Sequence, residues 1–279
     1  MIERAQLFGA SRHLVGVLTQ PLDPAPPGRP GILIFNAGFL HRVGPFRLHV
    51  TLARELVRQG FNVLRFDFAG IGDSTVNETA GSRDSSAQDV RDAMDLMQRT
   101  TKCEHFIVMG LCSGAKNAHL TSLRETRIKG SVMIDGYAYP TPRYYWRYYR
   151  RRLLSRKSWL SFVKRMGPRL RALGTPQAAD YWTLVAPPRE QAARELADIA
   201  GRGIKMLYVF TGESERYNYR EQLLDAFRTI DFGDSLTVEF FAEADHTFSE
   251  TGQRAQLIDC IRSWARKHFI SAAGPGSPS

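Results

Sequence analysis

Apolar runs of strand length alternate with amphipathic runs of helix length along most of this 279-residue chain. That alternation is what βαβ units require, and it predicts an α/β fold with a mostly parallel sheet. Strands are expected over Leu14–Thr19, Ile32–Asn36, Asn62–Phe66, Glu104–Met109, Lys129–Ile134, Ile204–Phe210 and Leu236–Phe241. Helices are expected over Phe46–Gln59, Asp84–Arg99, Ser113–Leu123, Tyr219–Thr229 and Thr251–Phe269. Gly60 stops the first helix, and Asp84 or a neighbouring serine caps the second. Between 137 and 203 the alternation stops. That stretch is helical in pattern, basic and aromatic, and reads as a cap inserted into a core made of residues 1–136 and 204–270. The small, Gly- and Pro-containing tail 271–279 is expected to be disordered.

The chemistry concentrates at Gly110-Leu111-Cys112-Ser113-Gly114. Gly-x-nucleophile-x-Gly between a strand and a helix is the nucleophile elbow, a tight strained turn whose glycines let backbones approach. Its central residue here is Cys112. Ser113 is one place late and would point elsewhere. A thiol suits the position, because a helix N-terminus favours negative charge and a nearby histidine can take the proton. Cys260 falls in the apolar stripe of the last helix, and Cys103 stands at a strand start without such context. Three cysteines far apart support neither a disulfide framework nor a zinc site.

With the elbow and this order of elements, the chain resembles the α/β-hydrolase superfamily over nearly its whole length. Within it, Asn36-Ala37-Gly38, His41-Arg42-Val43-Gly44-Pro45 and Arg65-Phe66-Asp67 running into Gly70-Ile71-Gly72-Asp73-Ser74 resemble hydrolases found with exosortase and exopolysaccharide systems. The resemblance implies a helical cap between later strands and a catalytic histidine in the loop after the last strand, where His246 stands. It also implies a triad carboxylate after an earlier strand. A glycine followed three residues later by an acid points to Glu215, and Asp135, where some superfamily members carry the acid, is the alternative. Asp245 is read as structural. The loop after Ile32–Phe35 matches the one that donates to the oxyanion, so the expected donors are the backbone N–H groups of Phe39, with Leu40 as alternative, and of Ser113. His41 and Arg42 follow and either line the mouth or face solvent. Gly70–Ser74 lacks the spacing and the lysine of a phosphate loop, and Asp73 is read as a structural hydrogen-bonder. No cofactor is expected.

The formal charge is +10, and its distribution is uneven. Between Asp135 and Asp180 there are eleven basic residues and no acidic one; the rest of the chain carries 27 basic and 28 acidic side chains. A local anionic partner explains this better than general nucleic-acid binding. Arg147, Arg150 and Arg151, with Arg42 at the mouth, are the candidate substrate or partner contacts. Three partners fit: an acidic carrier protein delivering a thioester, an anionic membrane surface with Trp146 and the tyrosines at the interface, or an acidic substrate. On a helix Tyr145, Tyr149 and Leu153 share a face, and Trp159, Phe162, Val163 and Met166 make a second stripe. The N-terminus lacks the layout of a signal peptide, and no apolar run reaches the roughly 18 residues of a membrane span. The expected compartment is the cytoplasm, with peripheral membrane association open. The expected function is hydrolysis of an ester or thioester through an acyl-enzyme. Transfer of the acyl group to an amine or alcohol, or a non-catalytic binding role through the basic cap, are the alternatives.

Overall fold

The structure, a computed structural model, describes residues 1–76, 85–153, 186–214 and 216–270. Eight strands form one sheet: β1 (Ile2–Phe8), β2 (Leu14–Gln20), β3 (Gly31–Ile34), β4 (Val63–Asp67), β5 (Phe106–Leu111), β6 (Ile128–Ile134), β7 (Lys205–Thr211) and β8 (Leu236–Phe241). Their order is β1-β2-β4-β3-β5-β6-β7-β8. β2 is antiparallel to both β1 and β4, and the six strands from β4 to β8 run parallel. The helices are α1 (Leu48–Arg58), α2 (Ser85–Thr101), α3 (Ser113–Arg124), α4 (Pro142–Leu153), α5 (Arg189–Gly201), α6 (Gln222–Ala226) and α7 (Thr251–Phe269). This is the α/β-hydrolase fold.

Central strands buried on both faces read as unbroken apolar runs, and every residue of β3 and β5 is buried. Strand periodicity then divides them between two cores. Leu33, Val108, Met133 and Met206 pack with Val90, Met94 and Met97 of α2, Ala115 and Ala118 of α3, and Leu196 and Ile199 of α5. Ile34, Met109, Val132 and Val209 pack with Leu52 and Leu56 of α1 and Leu257, Ile261 and Trp264 of α7.

Two expectations change. β1 was not foreseen: it is an edge strand whose first five residues are exposed or nearly so, and an edge buries too little to impose an apolar pattern. α5, expected within the inserted cap, lies instead on the sheet, with Ala192, Leu196 and Ile199 in the core. It is the crossover helix into β7. The second stripe from Trp159 to Met166 and the tail 271–279 lie outside the described residues. Among the described residues no helix is long and apolar enough to cross a membrane.

Chain order sets the site. From β3 the chain moves to β4 on one side, then returns to β5 on the other. Such a switch opens a crevice at the carboxyl ends of the strands. The loop after β3 and the turn after β5 face each other there.

Candidate active site

Cys112 caps α3 with φ 57° and ψ −116°, a left-handed conformation that a residue with a β-carbon adopts only under constraint. Both glycines of the motif are required by close approach. A β-carbon on Gly110 would stand 2.0 Å from the Gly114 carbonyl carbon, and one on Gly114 would stand 2.5 Å from the Asn36 carbonyl oxygen. The Cys112 N–H donates to the Ile134 carbonyl (2.9 Å), tying the turn to the end of β6.

Ser113 is otherwise engaged. Its Oγ accepts the Gly38 N–H at 2.8 Å, docking the loop after β3 onto the start of α3. The serine beside the nucleophile position is thus a strut of the loop expected to hold the oxyanion. As the first residue of α3, Ser113 contributes an N–H that has no carbonyl partner within its own helix. Phe39, the other expected donor, follows Gly38 at the turn, its ring largely in solvent.

Strand register brings the carboxylate. Leu111 of β5 pairs with Ile134 of β6, so Cys112 and Asp135 leave neighbouring strands at the same level. Asp135 Oδ2 accepts from His246 Nδ1 at 2.7 Å. The same carboxylate accepts the Thr211 N–H at Oδ1 (2.8 Å) and the Thr211 hydroxyl at Oδ2 (2.6 Å). Four-hundredths of its side chain is exposed, whereas His246 is partly open. The His246 pKa rises to about 10, chiefly through the bond to Asp135 and then through its interaction with the Cys112 thiol, against the opposing pull of burial. The structure therefore pairs His246 with Asp135, the alternative acid. Glu215, the first expectation, lies outside the described residues.

The histidine loop is held by Glu213, which sequence reasoning did not assign, and by Asp245. Glu213 accepts the His246 N–H at 3.0 Å. Asp245 accepts from the N–H and hydroxyl of Thr247 and of Ser249, which holds its carboxyl well below the usual range. The structural reading of Asp245 agrees with this.

Arg42 is corrected. Expected to bind substrate or a partner at the mouth, it is drawn into the protein: its guanidinium donates to buried Asp67 and to Asp73 (2.8 Å), and its N–H also reaches Asp67. The desolvated Asp67 carboxylate demands a cation, and Arg42 supplies it. Asp67 also accepts from Asn36 Nδ2 (2.9 Å), while Asn36 donates to the Leu40 carbonyl (2.8 Å) and accepts from the Phe68 N–H (2.7 Å). His41 meets Asp73 at 3.0 Å. His41, Asp67 and Asp73 converge closely enough to suggest a metal site, but the Arg42 guanidinium already bonds to both carboxylates there. Arg147 and Arg150 stand on α4, where Arg147 lies over the Tyr219 ring (5.7 Å) and Arg150 over Trp146 (4.9 Å), and α4 also carries Arg151. Cys103 is buried, and Cys260 is partly buried with its thiol pushed up to about 12 by burial.

Comparison with known proteins adds a family. The model described as "Serine aminopeptidase, S33" matches residues 31–199, which span β3, the elbow and Asp135. No curated protein matches the chain. Among solved structures, the chain is similar to a meta-cleavage product hydrolase from Pseudomonas fluorescens (TM-score 0.58, 16% identity, 95% of this chain and 97% of that one). It is also similar to a thermophilic esterase from Thermogutta terrifontis (0.55, 18%, 96% and 100%) and to an esterase domain from Rhodothermus marinus (0.55, 16%, 95% and 98%).

Proposed function

The chain belongs to the "Serine aminopeptidase, S33" family, and from that premise we propose an acyl hydrolase of the ester or thioester type that works through a covalent intermediate on Cys112. The observation that carries this reading is the placement of His246, hydrogen-bonded to Asp135 through Nδ1 and interacting electrostatically with Cys112. A base held by a carboxylate against an elbow residue is the arrangement nucleophilic catalysis needs.

His246 holds the proton given up by the Cys112 thiol, and Cys112 Sγ attacks the acyl carbon. The N–H groups of Ser113 and Phe39 are assigned to the oxyanion. When the tetrahedral intermediate collapses, the bond to the leaving oxygen or sulfur breaks and His246 protonates that atom. A water then loses a proton to His246 and attacks the acyl-enzyme, releasing the acid and returning Cys112 Sγ to its place beside the protonated His246. Asp135 keeps the imidazole in the tautomer that presents its other nitrogen to the sulfur. The family is named for serine, and the cysteine in this chain favours a second reading: a thioester acyl-enzyme that passes its acyl group to an amine.

Intact-protein mass spectrometry after exposure to a chain-length series of activated esters tests the proposal. Wild type is expected to gain one acyl mass and to turn over, and Cys112→Ala to do neither. Turnover by folded Cys112→Ala would reject the reading. Adding an amine separates hydrolysis from transfer: free acid alone at every amine concentration excludes the second reading.

A further inference from the structure

α4 is held at its N-terminal end and presents aromatic rings to solvent along its outer face. The Thr141 hydroxyl and the Tyr219 hydroxyl meet at 2.6 Å, Asn218 Nδ2 donates to the Tyr144 carbonyl at 3.1 Å, and the Arg143 guanidinium covers the Tyr219 ring at 4.5 Å. Tyr144 is buried. On the far side, Tyr145 and Tyr149 lie one turn apart with Trp146 beside them, and they are 50%, 56% and 61% exposed. Arginines border these rings on one side: Arg150 lies over Trp146, and Arg143 and Arg147, one turn apart, lie over the Tyr219 ring.

Large rings left in water on one helix face mark a contact surface. The charge around them selects the partner. The sequence around α4 carries no acid from 136 to 179, and the acids that Arg143 meets, Glu221 and Asp225 at 3.8 and 3.7 Å, come from the neighbouring 217–225 segment. Tryptophan and tyrosine flanked by arginine is the composition of a helix lying in a membrane interface, rings at headgroup depth and guanidinium groups on phosphates. Single-stranded nucleic acid is held in grooves that track its backbone, and this face is the convex side of a helix. An acidic protein surface would satisfy the arginines without calling for exposed rings.

We propose that α4 is a membrane-surface helix that seats the protein on anionic phospholipid headgroups through Tyr145, Trp146, Tyr149, Arg147 and Arg150. α4 leaves the sheet soon after Asp135, at the carboxyl edge that also carries Cys112 and His246. Membrane seating therefore places the elbow's end of the molecule next to the bilayer.

Flotation of the full chain with vesicles tests this without any turnover, so its failure leaves acylation of Cys112 untouched. The chain is expected to float with phosphatidylcholine vesicles containing phosphatidylglycerol and not with phosphatidylcholine alone, and to be released by salt. Arg147→Glu combined with Arg150→Glu should weaken partitioning about tenfold or more. Trp146→Ala with Tyr149→Ala should weaken it several-fold, and Arg150→Lys should retain it. Unchanged thermal midpoints establish that the variants are folded. Three results would overturn the proposal: no flotation with the anionic vesicles, undiminished flotation of the charge-reversed variant, or preferential binding to a single-stranded oligonucleotide or to polyglutamate.

Discussion

A left-handed backbone at Cys112 costs on the order of 1–3 kcal/mol, and the surroundings that impose it are visible: Gly110 packed on Gly114, Gly114 packed on Asn36, and a bond from Cys112 N–H to Ile134. Asp135 repeats the device at the neighbouring strand end, with φ 47° and a bond from its N–H to the Val209 carbonyl. Spacing alone is enough to place Cys112 at the tight turn after β5, because the elbow is a local motif, and His246 in the loop after β8. It is not enough to pick the carboxylate that meets His246. That choice depends on the register between β5 and β6 and on Thr211, a residue of β7 that holds the Asp135 carboxylate from the side. The residue-level test follows. Asp135→Asn should lower kcat on an activated ester by about 10³–10⁴-fold through loss of the imidazole tautomer, and NMR titration should show the His246 pKa falling. Glu215→Gln should change kcat little. The reverse pattern would return the role to Glu215.

At the scale of elements, the loop between β3 and α1 is held by a polar knot under its two ends. Asn36 joins the end of β3 to Leu40 within the loop and to Phe68 beyond β4, and Asp67 collects Asn36 and Arg42. Neither expectation for Arg42, lining the mouth or facing solvent, included its bonds to Asp67, because a surface-like sequence position cannot report a buried carboxylate contributed by another strand. β1 escaped for a related reason: an edge strand lacks an inner face to pattern. These bonds predict that Asn36→Ala loosens the loop. Asp67 loses a buried donor, so denaturant unfolding should show a loss of about 1–3 kcal/mol. If the Phe39 N–H serves the oxyanion as proposed, the folded variant should lose kcat more than it gains in KM. Stability falling with kcat untouched would assign the knot to the fold alone.

Across the whole molecule, two histidines bracket the pH at which the fold is most stable. Burial lowers His49 to about 4, with Arg65 adding to the effect, so the folded protein keeps this ring neutral while an unfolded chain protonates it near 6.5. Its contribution is complete above 6.5 and is lost as pH falls toward 4. His246 runs the other way. Raised to about 10, it holds a proton that the unfolded chain releases near 6.5. The stability it contributes is complete below 6.5 and is lost as pH climbs through 10. Above 10 the buried tyrosines take over: Tyr208 and Tyr217 are pushed up by burial and must stay neutral in the fold. Thermal midpoints measured from pH 4 to 10 should therefore peak in the 6–7 region. His49→Gln should flatten the acid limb and leave the alkaline limb in place. Asp135→Asn should flatten the limb between 6.5 and 10, because His246 then has no buried carboxylate to hold its proton. An alkaline limb unchanged in Asp135→Asn would mean that the His246–Asp135 pair does not carry the charge assigned to it, and the same measurement would remove the basis for a carboxylate-held base at Cys112.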